Sequence, residues 1–157
     1  MSLSEEDFNW HNQNLSNALS PNNLLRNTAT EEIINRIKNE QNYIIVILNY
    51  CLAISPDEKN FKLSLIIIGK IIRDTPSFFL ANFQDFQPLF FQLLYAVSNE
   101  GGSYIQHILG NIINLSLKAI SSLLPEEDRN ETTPFYDEIF NFSLENISTI
   151  PLCFYIL

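Results

Sequence analysis

The 157 residues are 46% hydrophobic and only 17% charged, enough apolar mass to bury the core of a single domain. A formal net charge of −9 excludes a general nucleic-acid binder and a surface drawn to anionic membranes, since both need basic faces. The longest apolar run, residues 43–54, is broken by Asn49 and falls short of the roughly 20 residues of a helical membrane span. The acidic start MSLSEEDFNW lacks the basic and apolar regions of a secretory signal, so the chain is expected inside the cell.

Taken in chain order, a first helix opens at SEED, where Ser4 can cap with Asp7 and acidic groups favour the positive end of the helix dipole. Phe8, His11, Leu15, Ala18 and Leu19 follow at helical spacing. Pro21 ends it and pushes Ser20 out of the α region, and Asn22 or Asn23 caps a second helix reaching Asn39, with Leu25, Ala29, Ile33 and Ile37 on one face. A third helix, 42–54, is apolar nearly all round and should be covered on most sides. SPDEKN starts a fourth, running to Asp74 with Phe61, Leu65, Ile68 and Ile72 inward. TPSFFL predicts a short helical turn. The next helix is expected to be capped by Asp85, with Pro88 in its first turn. NEGG, residues 99–102, is a stop before a helix over 103–124 with Ile105, Ile108, Leu109, Ile112, Ile113, Ser116, Ile120 and Leu123 on one side. PEEDRNETT reads as a solvated loop, and a last helix spans 134–148 through Tyr136, Ile139, Phe140, Ser143 and Ile147.

No segment alternates as a half-buried strand does, so the predicted class is all-α. The helices recur as antiparallel pairs, about three and a half of them, over residues 5–39, 42–81, 85–124 and 134–157. That period is characteristic of an α-α superhelix, the HEAT-repeat solenoid. Each pair is too thin to bury its own apolar face, so neighbours are expected to stack. The apolar end IPLCFYIL, residues 150–157, stands where a terminal cap should be polar. It predicts a homodimer through this end or a fold-back onto the last pair.

On the second helix of each pair a polar stripe lies opposite the apolar one. It comprises Asn27, Glu31, Asn35 and Lys38, then Lys59, Lys62, Lys70 and Arg73 with Ile66 among them, then Ser103, His107, Asn111, Asn114 and Lys118. Eight of the nine basic residues, all but Arg129, fall in second helices. Any helix needs a solvated face and Lys often supplies it, but segregation in an acidic chain points to a partner surface. Arg26 turns toward Ala29 and Ile33 and is expected to be ion-paired at the repeat junction.

Other chemistry is sparse. His11 and His107 have no second ligand at a metal offset on their own helices, and EEDRNE lacks the Gly and terminal Glu of a calcium loop, so no metal or cofactor is expected. Cys51 and Cys153 sit in apolar surroundings as free thiols. Asn-X-Ser/Thr triplets at Asn114, Asn141 and Asn146 belong to an Asn-rich sequence. No phosphate loop, nucleophile elbow or HExxH is present, and the chain reads as a non-enzyme; a deep cleft of clustered carboxylates would argue otherwise.

With the repeats in place, ALSPNNLLRNTATEEI, residues 18–33, resembles the opening repeat of the importin-β (karyopherin-β) superfamily through Leu19, Ser20, Pro21, Asn22, Asn23, Arg26 and Ala29. The following pair is similar too: an apolar first helix, a short acidic turn, and a long second helix ending at Lys70-Ile71-Ile72. The resemblance implies a nuclear transport receptor, cytoplasmic and nuclear, whose N-terminal repeats bind Ran-GTP through the second helices. It further implies that nucleoporins and cargo engage later repeats absent from these residues. The alternative is a stand-alone HEAT scaffold that assembles protein complexes without a transport role.

Overall fold

The computed structural model describes residues 3–97 and 102–146, and every regular element among them is helical: α1 (Glu5–Ala18), α2 (Asn23–Asn39), α3 (Tyr43–Ala53), α4 (Lys59–Asp74), α5 (Pro76–Ala81), α6 (Phe83–Val97), α7 (Ser103–Leu123), a 3-10 turn (Glu126–Thr132) and α8 (Thr133–Asn146). The expected all-α class is the one observed. The stop at residues 99–101 and the end from Ile147 onward, with Cys153 and the segment 150–157, lie outside the described residues.

Local chemistry sets the first hairpin. Ser4 Oγ accepts the Asp7 N–H at 3.0 Å and donates to Asp7 Oδ2 at 2.7 Å, and Glu5, Glu6 and Asp7 fill the positive first turn. α1 stops before Ser20-Pro21, and Asn22 Oδ1 then accepts from the backbone N–H of Leu24 at 3.0 Å and of Leu25 at 3.3 Å to open α2. α1 and α2 pack on each other through Leu15, Ala29, Ile33 and Ile37. Leu19 and Leu25, expected inward, are 46% and 45% exposed because the tight turn holds both helix ends away from the core.

α3 lies at the centre, with Tyr43 to Leu48, Tyr50 and Cys51 buried. The Asn49 that interrupts its apolar run satisfies its amide by donating to the Ile45 carbonyl at 2.8 Å. One side of α3 packs on α6 and another on α4, while α4 packs most extensively on α7. Between the second and third pairs a first helix thus meets a first helix and a second meets a second, whereas α1 packs on α4 as well as on α3. The chief contacts of α7 run to α4, with α5 next, rather than to α6. Gly69 faces α7 with room to spare: a Cβ there would stand at ordinary contact distance, 3.7 Å from Leu115 Cδ1 and 3.9 Å from Ile112 Cγ1.

Three expectations need correction. α6 starts at Phe83, so Asp85 is in its first turn instead of at its cap, and Pro88 is interior. Burial of Phe79, Phe83, Phe86 and Phe90 as one ring cluster, with neighbouring centroids 5.0–5.7 Å apart, outweighs the hydrogen bond that Pro88 cannot donate. The acidic segment after α7 is a 3-10 turn instead of a loop: Arg129 donates to the carbonyls of Leu124 (3.0 Å) and Ser121 (2.7 Å), and Thr132 is buried. α8 buries Phe135, Ile139, Phe142 and Ser143, whereas Tyr136 and Phe140 face outward at 36% and 54% exposure. Leu123, in the last turn of α7, is also exposed.

Candidate partner-binding face

α2, α4 and α7 carry the polar stripes. Asn27, Glu31, Asn35 and Lys38 are exposed on α2; Lys59, Lys62, Ile66 and Arg73 are exposed on α4, and Lys70 is half-buried; His107, Asn111, Asn114 and Lys118 are exposed on α7. At 100° per residue, Lys59, Lys62, Ile66, Lys70 and Arg73 fall within an arc of about 80° on α4. Gly69 and Ile72 turn toward α7, and Leu63 and Ile67 toward α2. The α4 and α7 stripes meet at Gly69, where the Asn111 amide lies 4.0 Å from a Cβ position. Lys59 stands apart, beside the α1–α2 turn, in an open hollow with Ser20, Pro21, Glu58 and Asn60.

Between the stripes the surface is apolar. Leu19, Thr30, Ile33, Ile34, Ile37, Leu63, Ile66, Ile67 and Lys70 line a groove of about 230 Å³ between α2 and α4. A second, of about 240 Å³, runs between α4 and the end of α7, lined by Ile72, Pro76, Leu115, Ala119 and Leu123 with Arg73 and Lys118 at its rim. Sequence reasoning noticed Ile66 within the stripe but missed both grooves. Each draws on residues from separate helices, and no single periodicity carries that signal.

The basic residues divide into two groups. Lys38, Lys59, Lys62 and Lys118 make no ion pair among the described residues, whereas Lys70 and Arg73 share the Asp74 carboxylate, the latter at 2.8 Å. The Arg73 hydrogen bond, then that of Lys70, holds the Asp74 carboxyl below its ordinary range. Arg36 is not on the face. It is half-buried, paired with Asp7 at 3.1 Å and with Glu40, and lies over the Trp10 and Tyr43 rings at 4.5 and 4.9 Å. Arg26 has hydrogen bonds in place of the expected ion pair: it is exposed and donates to the Ser20 carbonyl at 3.2 Å and to Asn23 Oδ1. Of the LSPNN-R-A motif, Leu19, Ser20, Pro21, Asn22 and Arg26 therefore build the turn, and Ala29 is the buried contact.

His11 is the residue whose surroundings sequence reasoning understated. It is fully buried, with its ring 5.4 Å from Tyr43 and 5.3 Å from Tyr50. Its Nδ1 lies 2.7 Å from the Asp7 carbonyl, which can only accept, so the proton is on Nδ1, and Nε2 has no hydrogen-bond partner among the described residues. Burial holds its pKa below the usual histidine value, against the pull of the Asp7 carbonyl. Cys51 is equally enclosed; burial pushes its thiol up to about 12, which removes it as a nucleophile at neutral pH.

A cavity of about 700 Å³ lies elsewhere, between α5, the start of α6 and the 3-10 turn. Its carboxylates, Asp85, Glu127, Asp128 and Glu131, are all exposed, and no three His, Cys, Asp or Glu among the described residues gather to hold a metal ion. No helix among the described residues is long and apolar enough to cross a membrane. No family model, curated protein or solved structure matches the chain.

Proposed function

We propose that the chain is a non-enzymatic protein-binding module of stacked helical hairpins, HEAT-like, whose partner face is built from α2, α4 and α7. The first candidate partner is the GTP form of Ran, in a role in nucleocytoplasmic transport spanning cytoplasm and nucleus. The observation that carries this reading is the exposure of a basic stripe on α4 between the polar faces of α2 and α7, in a chain of net charge −9. Packing of α3 on α6 and of α4 on α7 supports hairpin stacking, which sets second helices side by side. Retention of GTP-loaded but not GDP-loaded Ran by the immobilised chain at low salt is the expected result. Equal failure with both nucleotide states rejects Ran as the partner.

A second reading, the stand-alone HEAT scaffold, is favoured by the far end of the molecule. There Tyr136, Phe140 and Leu144 form an exposed apolar line along α8, suited to assembly with another body or a second copy. Light scattering of a dilute sample checks self-assembly: a mass of two chains supports a homodimer, and a monomer removes it.

A further inference from the structure

The face just described has features that a flat, polar contact surface would not need. Its two apolar grooves run along opposite sides of α4, and both open onto the arc that carries Lys62, Ile66, Lys70 and Arg73. Ile66 is 46% exposed at the lip of one, and Leu123 is 51% exposed at the lip of the other. Both grooves are wide enough for a single bulky side chain and too shallow to enclose a small molecule, whose pockets are typically about 300–1,000 Å³.

Charge indicates what would occupy them. α4 and α7 together carry Lys59, Lys62, Lys70, Arg73 and Lys118 against the single acid Asp74, and α7 has no acidic residue at all. Asp74 already serves both Lys70 and Arg73, leaving a surplus of positive charge. Most of the chain's other acids lie elsewhere, in Glu5, Glu6 and Asp7 and in Glu126, Glu127, Asp128, Glu131, Asp137, Glu138 and Glu145, while Asp57 and Glu58 stand beside Lys59 at the start of α4, away from both grooves. The α2 wall is mixed, Glu31 facing solvent near Lys38. Positive potential is therefore greatest over the α4–α7 groove.

Resting on the partner-face reading, we infer that the two grooves beside α4 hold one acidic, amphipathic segment of a partner protein. Two bulky apolar side chains fill the grooves, and carboxylates lie against Lys62, Arg73 and Lys118. Geometry sets their spacing. Ile66 and Arg73 are seven residues apart, about 10 Å along the helix. The grooves are separated across α4 by about one interhelical spacing, roughly 9 Å. Anchors about 14 Å apart result, spanned by roughly four residues of extended chain. Apolar anchors supply affinity and the basic rim supplies selection against neutral or basic competitors.

The test is selection of displayed random 16-residue peptides on the whole chain, followed by titration of the enriched peptides by fluorescence anisotropy at two salt concentrations. Expected are peptides with net negative charge and two bulky apolar residues, which bind more weakly at the higher salt. They should also bind at least tenfold more weakly to Ile66→Asp and to Lys118→Glu, two exposed positions, each variant first checked for the wild-type helical spectrum. Should Ile66→Asp fail to fold, Lys62→Glu replaces it with the same expectation. Failure to enrich any peptide, enrichment of neutral or basic peptides, or indifference to these substitutions overturns the inference. So does self-association of the wild-type chain that Ile66→Asp abolishes, which would put a second copy in the grooves. The Ran assay run in parallel separates the two claims. Ran binding without peptide enrichment removes this inference and leaves the partner face; acidic peptides without Ran binding sustain it and remove the transport role.

Discussion

The two ends of the molecule are held together by different means. Around α1 and α2, polar groups enter the core. His11 is buried between Tyr43 and Tyr50, Arg36 ties Asp7 to Glu40, and Asn60 of α4 donates to Ser16 Oγ at 3.0 Å and Asn12 Oδ1 at 3.3 Å of α1. Around α5, α6 and α8 the core is a run of rings, Phe79, Phe83, Phe86, Phe90, Phe91 and Phe135. Hydrogen bonds and ion pairs are directional and titrate; ring packing does neither. The core of the first region is therefore specified in register and sensitive to pH, and that of the second is limited chiefly by volume.

The largest expected effect is on the ring side. Phe90→Ala leaves a cavity among Phe86, Phe91 and Phe135 and should cost about 3–5 kcal/mol in denaturant unfolding, with no change in pH dependence. The contrast then sharpens at His11. Its folded pKa is depressed, so on acidification the unfolded chain takes up a proton that the folded chain refuses. Stability falls as pH drops through the ordinary histidine value of about 6.5. His11→Phe keeps the ring and removes the titration, and the loss of stability between pH 7 and 5 should largely disappear. An unchanged slope would assign it to other groups. Asp7 adds a separate decline at lower pH. Its carboxyl is held down by Ser4 and Arg36, so its contribution is present above the ordinary carboxylate value and is lost as pH falls through the depressed one.

A smaller effect is expected at the turn. Asn22→Ala removes the acceptor for two backbone N–H groups at an exposed helix start and should cost about 1 kcal/mol. The smallest has the opposite sign. A Cβ on Gly69 meets only ordinary contacts of 3.7–4.0 Å, so Gly69→Ala should stabilise α4 by up to about 1 kcal/mol, read as a raised melting temperature. Destabilisation there would mean that α4 and α7 pack more tightly than these distances allow.

Legibility followed the same division. Helix α2 and the end of α4 were readable from Asn22, Pro21 and Thr75-Pro76, because caps and proline act on neighbours in sequence. The start of α6 was not. The local rule that places proline in a first turn lost to tertiary burial of Phe83 and Phe86. On α8, Phe135, Ile139 and Phe142 compete with Tyr136, Phe140 and Leu144 as equally apolar stripes, and only the rings of α6, meeting Phe135 and Phe142, select the first. The exposed polar stripes followed from helical period alone, whereas the grooves between them depend on how helices distant in sequence lie together.

The most direct measurement is on that face. Binding of GTP-loaded and GDP-loaded Ran at low salt should be compared between the wild-type chain and the Lys62→Glu, Lys118→Glu double variant, both checked for wild-type helical content. Binding of the GTP form alone is expected, weakened at least tenfold by the double charge reversal. Equal affinity of wild type and variant would contradict a partner face on α4 and α7, and no binding of either nucleotide form would contradict Ran as its occupant.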